Sequence, residues 1–185
     1  MLPLLLAACL PRAAATCPES VPDSPPGVLV RVEKHTFELG VYRDGRLLDA
    51  GTGPACFPIA LGAEPVGDKE ARGDERTPEG ELRVTHRNPA SRFYKSLGLN
   101  YPTARHADAG LAAGRIDAAT AARVRAADAP GRMPARDTAL GGDIYIHGGG
   151  VAWRSWTDGC IALDNAAMDY VYDVAGPGSA VWVLP

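Results

Sequence analysis

Phe37, Leu39 and Val41 alternate with polar or small residues and run directly into Asp44-Gly45. Alternation of this kind puts one set of side chains on one face of a strand. Asp-Gly is a two-residue hairpin signal, because both positions tolerate positive φ. The segment VLVRVEKHTFELGVYRDGRLLDAGTG (28–53) is therefore read as two or three strands around a tight turn, with Cys56 to Leu61 as a further short strand. Strand character resumes from Leu82 to Thr85 and from Asp143 to His147, where Ile144 and Ile146 share one face and Tyr145 and His147 the other. AVWVLP (180–185) reads as a closing strand. Two segments read as helices. DAATAARVRAADA (117–129) is alanine-rich, with Asp117 as its N-cap and Pro130-Gly131 beyond its end. The other follows Asp164-Asn165, runs to Val174 and is stopped by Gly176 and Pro177. The expected fold class is mostly β with two or three helices, a β-rich α+β domain.

A chain of 185 residues with 46% hydrophobic content suits one domain with a sizeable core. PESVPDSPPG (18–27) is rich in proline and serine and reads as a linker, which leaves 28–185 as the folded domain. The apolar run MLPLLLAACL (1–10) falls well short of the ~20 residues that cross a bilayer. With Ala13-Ala14-Ala15 it reads instead as the hydrophobic part of an export signal within residues 1–17. Leu6-Ala7-Ala8-Cys9 also has the pattern of a lipobox, which would place a lipid anchor on Cys9. Either route takes the protein out of the cytoplasm, to the periplasm or cell envelope. The formal charge of −3 and the lack of a Lys/Arg run argue against nucleic acid as a partner.

Export gives the cysteines meaning. With Cys9 removed or lipidated, Cys17, Cys56 and Cys160 remain, and no C-x-x-C is present. Paired thiols oxidise outside the cytoplasm, so a Cys17–Cys56 disulfide is expected, with Cys160 left free.

The segment IHGGGVAWRSWTDGCIAL (146–163) places His147 at a strand end and Cys160 directly after Gly159. A thiol becomes a strong nucleophile when a neighbouring imidazole takes its proton. Gly159 lets the backbone come close to a substrate carbonyl, and N–H groups near Cys160 are suited to an oxyanion hole. The same two residues are equally readable as a buried structural cysteine and a structural histidine. Two rival chemistries fit less well. His-Gly-Gly-Gly resembles a serine-esterase oxyanion motif, but no G-x-S-x-G elbow accompanies it, and Ser155 lies between Arg154 and Trp156. His147, Asp158 and Cys160 have no recognisable metal-ligand spacing.

Taken together, four segments resemble the L,D-transpeptidase catalytic domain, YkuD-type, and within it the ErfK/YafK-like subgroup. They are PVGDKEARGDERTPEGELRV (65–84), Leu99-Asn100-Tyr101-Pro102, DTALGGDIYIHGGG (137–150) and SWTDGCIALDNAAMDYV (155–171), followed by GSAVWVLP. The likeness runs from about residue 28 to the C-terminus. It implies a mixed β-sandwich or barrel and an acyl transferase working on peptidoglycan stem peptides through a cysteine thioester, with a place in cell-wall organisation and cell shape. A hydrolase using the same machinery, including one that releases a wall-linked lipoprotein, and a non-catalytic wall-binding module are the alternatives. No metal or organic cofactor is implied.

The resemblance also implies roles. Cys160 would be the nucleophile and His147 its general base and acid. The Gly148 carbonyl would orient the imidazole, and the Gly159 and Cys160 N–H groups would bind the oxyanion. Thr157 takes the Ser/Thr place before the nucleophile. Many relatives carry Arg two residues after the nucleophile to hold a substrate carboxylate, whereas this chain has Ala162. Arg154 is the expected replacement, with Tyr101, Trp156 and Thr157 as further substrate contacts. Asp68, Lys69 and Asp74 are expected to order their loop by local hydrogen bonds.

Overall fold

The computed structural model describes residues 17–130 and 132–185. The export-signal and lipobox segments therefore lie outside the described residues, apart from Cys17. Among the described residues no helix is long and apolar enough to cross a membrane.

Among the described residues eleven strands and three helices follow one another. They are β1 (Val28–Glu33), β2 (Glu38–Arg43), β3 (Arg46–Leu47), β4 (Cys56–Pro58), β5 (Leu61–Gly62), β6 (Gly80–Ser91), β7 (Tyr94–Leu99), α1 (Ala104–Ala112), α2 (Ala118–Ala127), β8 (Tyr145–His147), β9 (Ser155–Thr157), β10 (Ile161–Ala162), α3 (Asn165–Val174) and β11 (Ala180–Leu184). The main sheet has the order β10-β8-β7-β6-β11-β1-β2-β3, with β4 also on β2, while β5 and β9 form a separate parallel pair. The β1–β2 hairpin is antiparallel, and β1 pairs in parallel with β11 on its other side. Asp44 and Gly45 turn β2 into β3 at φ 48° and 77°, the left-handed pair that a twisted hairpin needs.

The core lies between this sheet and α3. Val30, Val32, Leu39, Val41, Leu97, Ile146, Ile161 and Val181 are fully buried, and Met168 and Val171 of α3 join them. A smaller cluster of Ala107, Ala121, Val124 and Ala135 joins α1 to α2. Asp117 caps α2 by accepting from the Thr120 N–H at 2.7 Å. α1 was not expected. Its N-cap Thr103 and His106, three residues on, form a reciprocal capping box in the first turn, with the Thr103 hydroxyl 2.7 Å from His106 Nδ1.

The 18–27 stretch is not a free linker. Leu47 donates to the Glu19 carbonyl and Val21 to that of Gly45, so this strap lies along β3. Its start is held by a Cys17–Cys56 disulfide spanning 39 positions, and Cys160 is the free thiol. A cross-link over a loop of that size contributes about 3–4 kcal/mol.

The polar 65–80 loop is ordered from within. Asp74 accepts from Lys69 Nζ at 2.5 Å and from the N–H groups of Glu70, Ala71 and Arg76. Asp68 accepts from Glu79 N–H and Arg105 and faces His106 Nε2 at 3.4 Å. Lys34, buried to 3% exposure, ties the loop to the sheet through the Gly67 and Thr77 carbonyls and the Glu79 carboxylate.

Candidate active site

β8 and β10 are parallel neighbours, with Ile146 opposite Ile161 and His147 opposite Ala162. Side chains alternate faces with a period of two, so Cys160, two positions before Ala162, falls on the His147 side of the sheet. β7 adds Ser96 directly opposite His147, and β6 adds Asn88 opposite Ser96. This register gathers side chains far apart in sequence on one face. They line a cavity of about 490 Å³ with Asn88, Ser96, Asp143, Tyr145, His147, Thr157, Asp158 and Cys160 among its walls. The volume suits a small-molecule or peptide-end site.

His147 is 2% exposed, and its Nδ1–H donates to the Gly148 carbonyl at 2.6 Å, which leaves the lone pair on Nε2. Phe93, from the turn between β6 and β7, stacks on the imidazole with centroids 4.7 Å apart and planes 24° apart. Trp156 meets the same ring edge-on at 5.8 Å. Burial, offset in part by the Gly148 hydrogen bond and reinforced by the nearby Arg92 charge, holds the imidazole pKa below its ordinary value. The glycine run after His147 is pinned by the start of α3: Asn165 Oδ1 accepts from Gly149 N–H and Asp164 Oδ1 from Val151 N–H. Asp164 stands at the N-cap position with extended backbone, yet its side chain serves this loop instead of the helix.

The Cys160 thiol donates to the Asp143 carbonyl at 3.6 Å, and the two catalytic candidates are not hydrogen-bonded to each other. Burial pushes the thiol up to about 11; a backbone hydrogen bond from Tyr145 opposes this, while the Asp158 and Asp143 charges add to it. At neutral pH both groups are therefore uncharged. The turn before Cys160 is closed by Thr157, whose hydroxyl donates to the Cys160 carbonyl at 2.7 Å and accepts from the Gly159 N–H at 3.2 Å. Gly159 has φ 118°, and a Cβ there would meet the Arg76 carbonyl at 2.5 Å. The 65–80 loop thus passes directly behind the residue before Cys160, and only glycine fits.

Several residues singled out in the sequence stand elsewhere than expected. Tyr101 is fully buried, donates to the Leu140 carbonyl at 2.8 Å and is not among the cavity walls. Arg154 lies over the Phe37 ring at 5.1 Å and does not line the cavity either. Ala162 is fully buried in ladders to His147 and Ala60, where an arginine has no room. The Gly159 N–H is engaged by Thr157, which removes it from the expected oxyanion hole. Trp156 and Thr157 do line the cavity. Phe93 and Arg92 line it too, and neither was singled out in the sequence. Their signal would have been the partnering of β6 with β7, which no Asp-Gly or Asn-Gly turn announces.

A family model described as the L,D-transpeptidase catalytic domain, YkuD, matches residues 26–183. Among solved structures, the helical cell shape determining protein Pgp2 from Campylobacter jejuni is similar at 23% identity and a TM-score of 0.55, over 85% of this chain and 46% of that one. Bd1075 from Bdellovibrio bacteriovorus is similar at 16% identity and 0.54, over 90% of this chain and 51% of that one. An L,D-transpeptidase from Xylanimonas cellulosilytica gives 16% and 0.50, over 88% and 62%. The chain thus spans about half the length of the first two, and at these identities the likeness is one of fold. No protein of curated function matches.

Proposed function

The chain belongs to the YkuD family of L,D-transpeptidase catalytic domains, and on that premise we propose that it is a cysteine-dependent acyl transferase acting on peptidoglycan stem peptides. The observation that carries the proposal is the meeting of His147 and Cys160 on one sheet face, in the walls of one cavity.

The resting pair is a neutral thiol and a neutral imidazole, so the reaction does not start from a standing thiolate. Catalytic hydrogen bonds are commonly long before substrate binds and tighten in the reacting complex. In this mechanism the thiol turns from the Asp143 carbonyl towards His147. Nε2 takes its proton as Sγ attacks the carbonyl that joins an L-centre to D-alanine. The Cys160 N–H holds the oxyanion. The imidazolium then protonates the departing amine, the C–N bond breaks, and a thioester remains on Cys160. An acceptor amine attacks the thioester and loses its proton to His147, which returns it to the sulfur as the C–S bond breaks. With water in the acceptor's place, the same steps yield a carboxypeptidase. Such a substrate places the protein in the cell envelope, and a role in cell shape, as in the name of Pgp2, fits it.

Incubation with purified sacculi, followed by mass analysis of the muropeptides, tests the reading. New crosslinks assign transpeptidation, shortened stems assign hydrolysis, and released lipoprotein assigns an amidase. Unaltered muropeptides would refute an activity on the wall.

A further inference from the structure

Arg92 sits at the turn between β6 and β7, exposed, with its guanidinium 4.7 Å above the Phe93 ring. Phe93 in turn stacks on His147, so one aromatic ring touches both the Arg92 cation and the base. Arg92 is the cavity's one arginine or lysine, and among the described residues it forms no salt bridge. The other charges in the cavity wall are acidic. Asp143 is paired with Arg136 at 2.9 Å and accepts from the Tyr145 hydroxyl at 3.1 Å. Asp158 adjoins the nucleophile across Gly159. The unpaired charges of the cavity wall therefore differ in place: Arg92 stands next to Phe93 on the side of the base, and Asp158 stands beside the thiol.

We propose that Arg92 is the specificity residue that binds the terminal carboxylate of the leaving amino acid. This rests on the acyl-transfer reading of the site. The amine that departs is the one His147 protonates, and in a C-terminal residue its carboxylate is one carbon from that nitrogen. A carboxylate so placed lies on the His147 side of the cavity, where Arg92 is unpaired, and away from Asp158, whose unpaired charge repels it. Arginine suits the task because its planar fork matches a carboxylate. The site then selects a donor whose scissile bond is the last in the peptide, and it does so without the arginine that Ala162 replaces.

The test compares kcat/KM for a stem peptide ending in free D-alanine with that for the same peptide ending in D-alanine amide. Wild type should favour the acid by roughly ten- to a hundredfold, the range expected for a hydrogen-bonded charge pair. Arg92→Ala should abolish that preference through the KM of the acid, Arg92→Lys should restore part of it, and Arg154→Ala should leave it intact. Full preference in Arg92→Ala would overturn the assignment. If wild type processes neither peptide, the acyl-transfer reading fails, and Arg92 is judged by calorimetry on the Cys160→Ala protein. There the acid must bind more tightly than the amide, and Arg92→Ala must erase the difference. Equal binding of the two, or none, overturns it.

Discussion

The Phe93 ring and the His147 imidazole lie face to face, centroids 4.7 Å apart and planes 24° apart, although one comes from the β6–β7 turn and the other from the end of β8. The stack restrains the imidazole from one side while the Gly148 carbonyl holds Nδ1 at 2.6 Å. Aromatic pairs of this kind contribute ~0.5–1.5 kcal/mol. Phe93→Ala should therefore lower kcat by roughly three- to tenfold with little change in KM, and Phe93→Tyr should restore it. Steady-state kinetics of the three proteins check this. A change confined to KM would make Phe93 a substrate contact instead.

Cys160 is held protonated. Because burial raises its thiol to about 11, alkylation by iodoacetamide should be slow at pH 7. It should climb about tenfold per pH unit, as the thiolate fraction does, with no plateau up to pH 9.5. A labelling rate already level at neutral pH would show a standing ion pair with His147.

Gly159 carries two constraints, a φ of 118° and the Arg76 carbonyl where a Cβ would stand. Gly159→Ala should destabilise the fold by about 2–5 kcal/mol, combining left-handed backbone strain with overpacking. Urea unfolding measures it. An unchanged midpoint would mean that the 65–80 loop yields freely.

Asp68 anchors that loop to α1. Burial alone would raise its carboxyl, but hydrogen bonds from His106, the Glu79 N–H and the Arg105 guanidinium hold it well below the usual carboxylate range. A carboxyl lowered in the folded state stabilises above its unfolded pKa of about 3.9, and that contribution fades as pH falls. Asp68→Asn should lower Tm at pH 7, and the gap between the two proteins should narrow steadily below pH 4. A gap of the same size at pH 3 and pH 7 would contradict the ionic role.

Much of this was legible in the residues because the backbone demanded it. Asp44-Gly45 had to turn a hairpin, since both positions need positive φ, and Gly159 marked a tight approach beside Cys160. The strand ending at His147 showed in its alternation. The missed parts depend on tertiary contacts. α1 buries a face of small residues, Ala107 and Gly110, that carries little apolar signal, and its capping histidine, His106, packs towards Asp68. Phe93 reaches His147 only because β7 pairs with β8 with Ser96 opposite His147, a register no local pattern encodes. Tyr101 and Arg154 adjoin the motifs along the chain, but adjacency did not specify which way they face. The first turns into the core and the second lies over Phe37.

The central claim is that the Cys160 sulfur carries the acyl group and His147 moves its proton. Intact-mass measurement after mixing the protein with a stem peptide ending in D-alanine tests it most directly. The account predicts an adduct on Cys160 equal to the peptide less its terminal D-alanine. It also predicts no adduct in Cys160→Ala and acylation slowed roughly a hundredfold or more in His147→Ala. Acylation of His147→Ala at the wild-type rate, or turnover by Cys160→Ala, would contradict it.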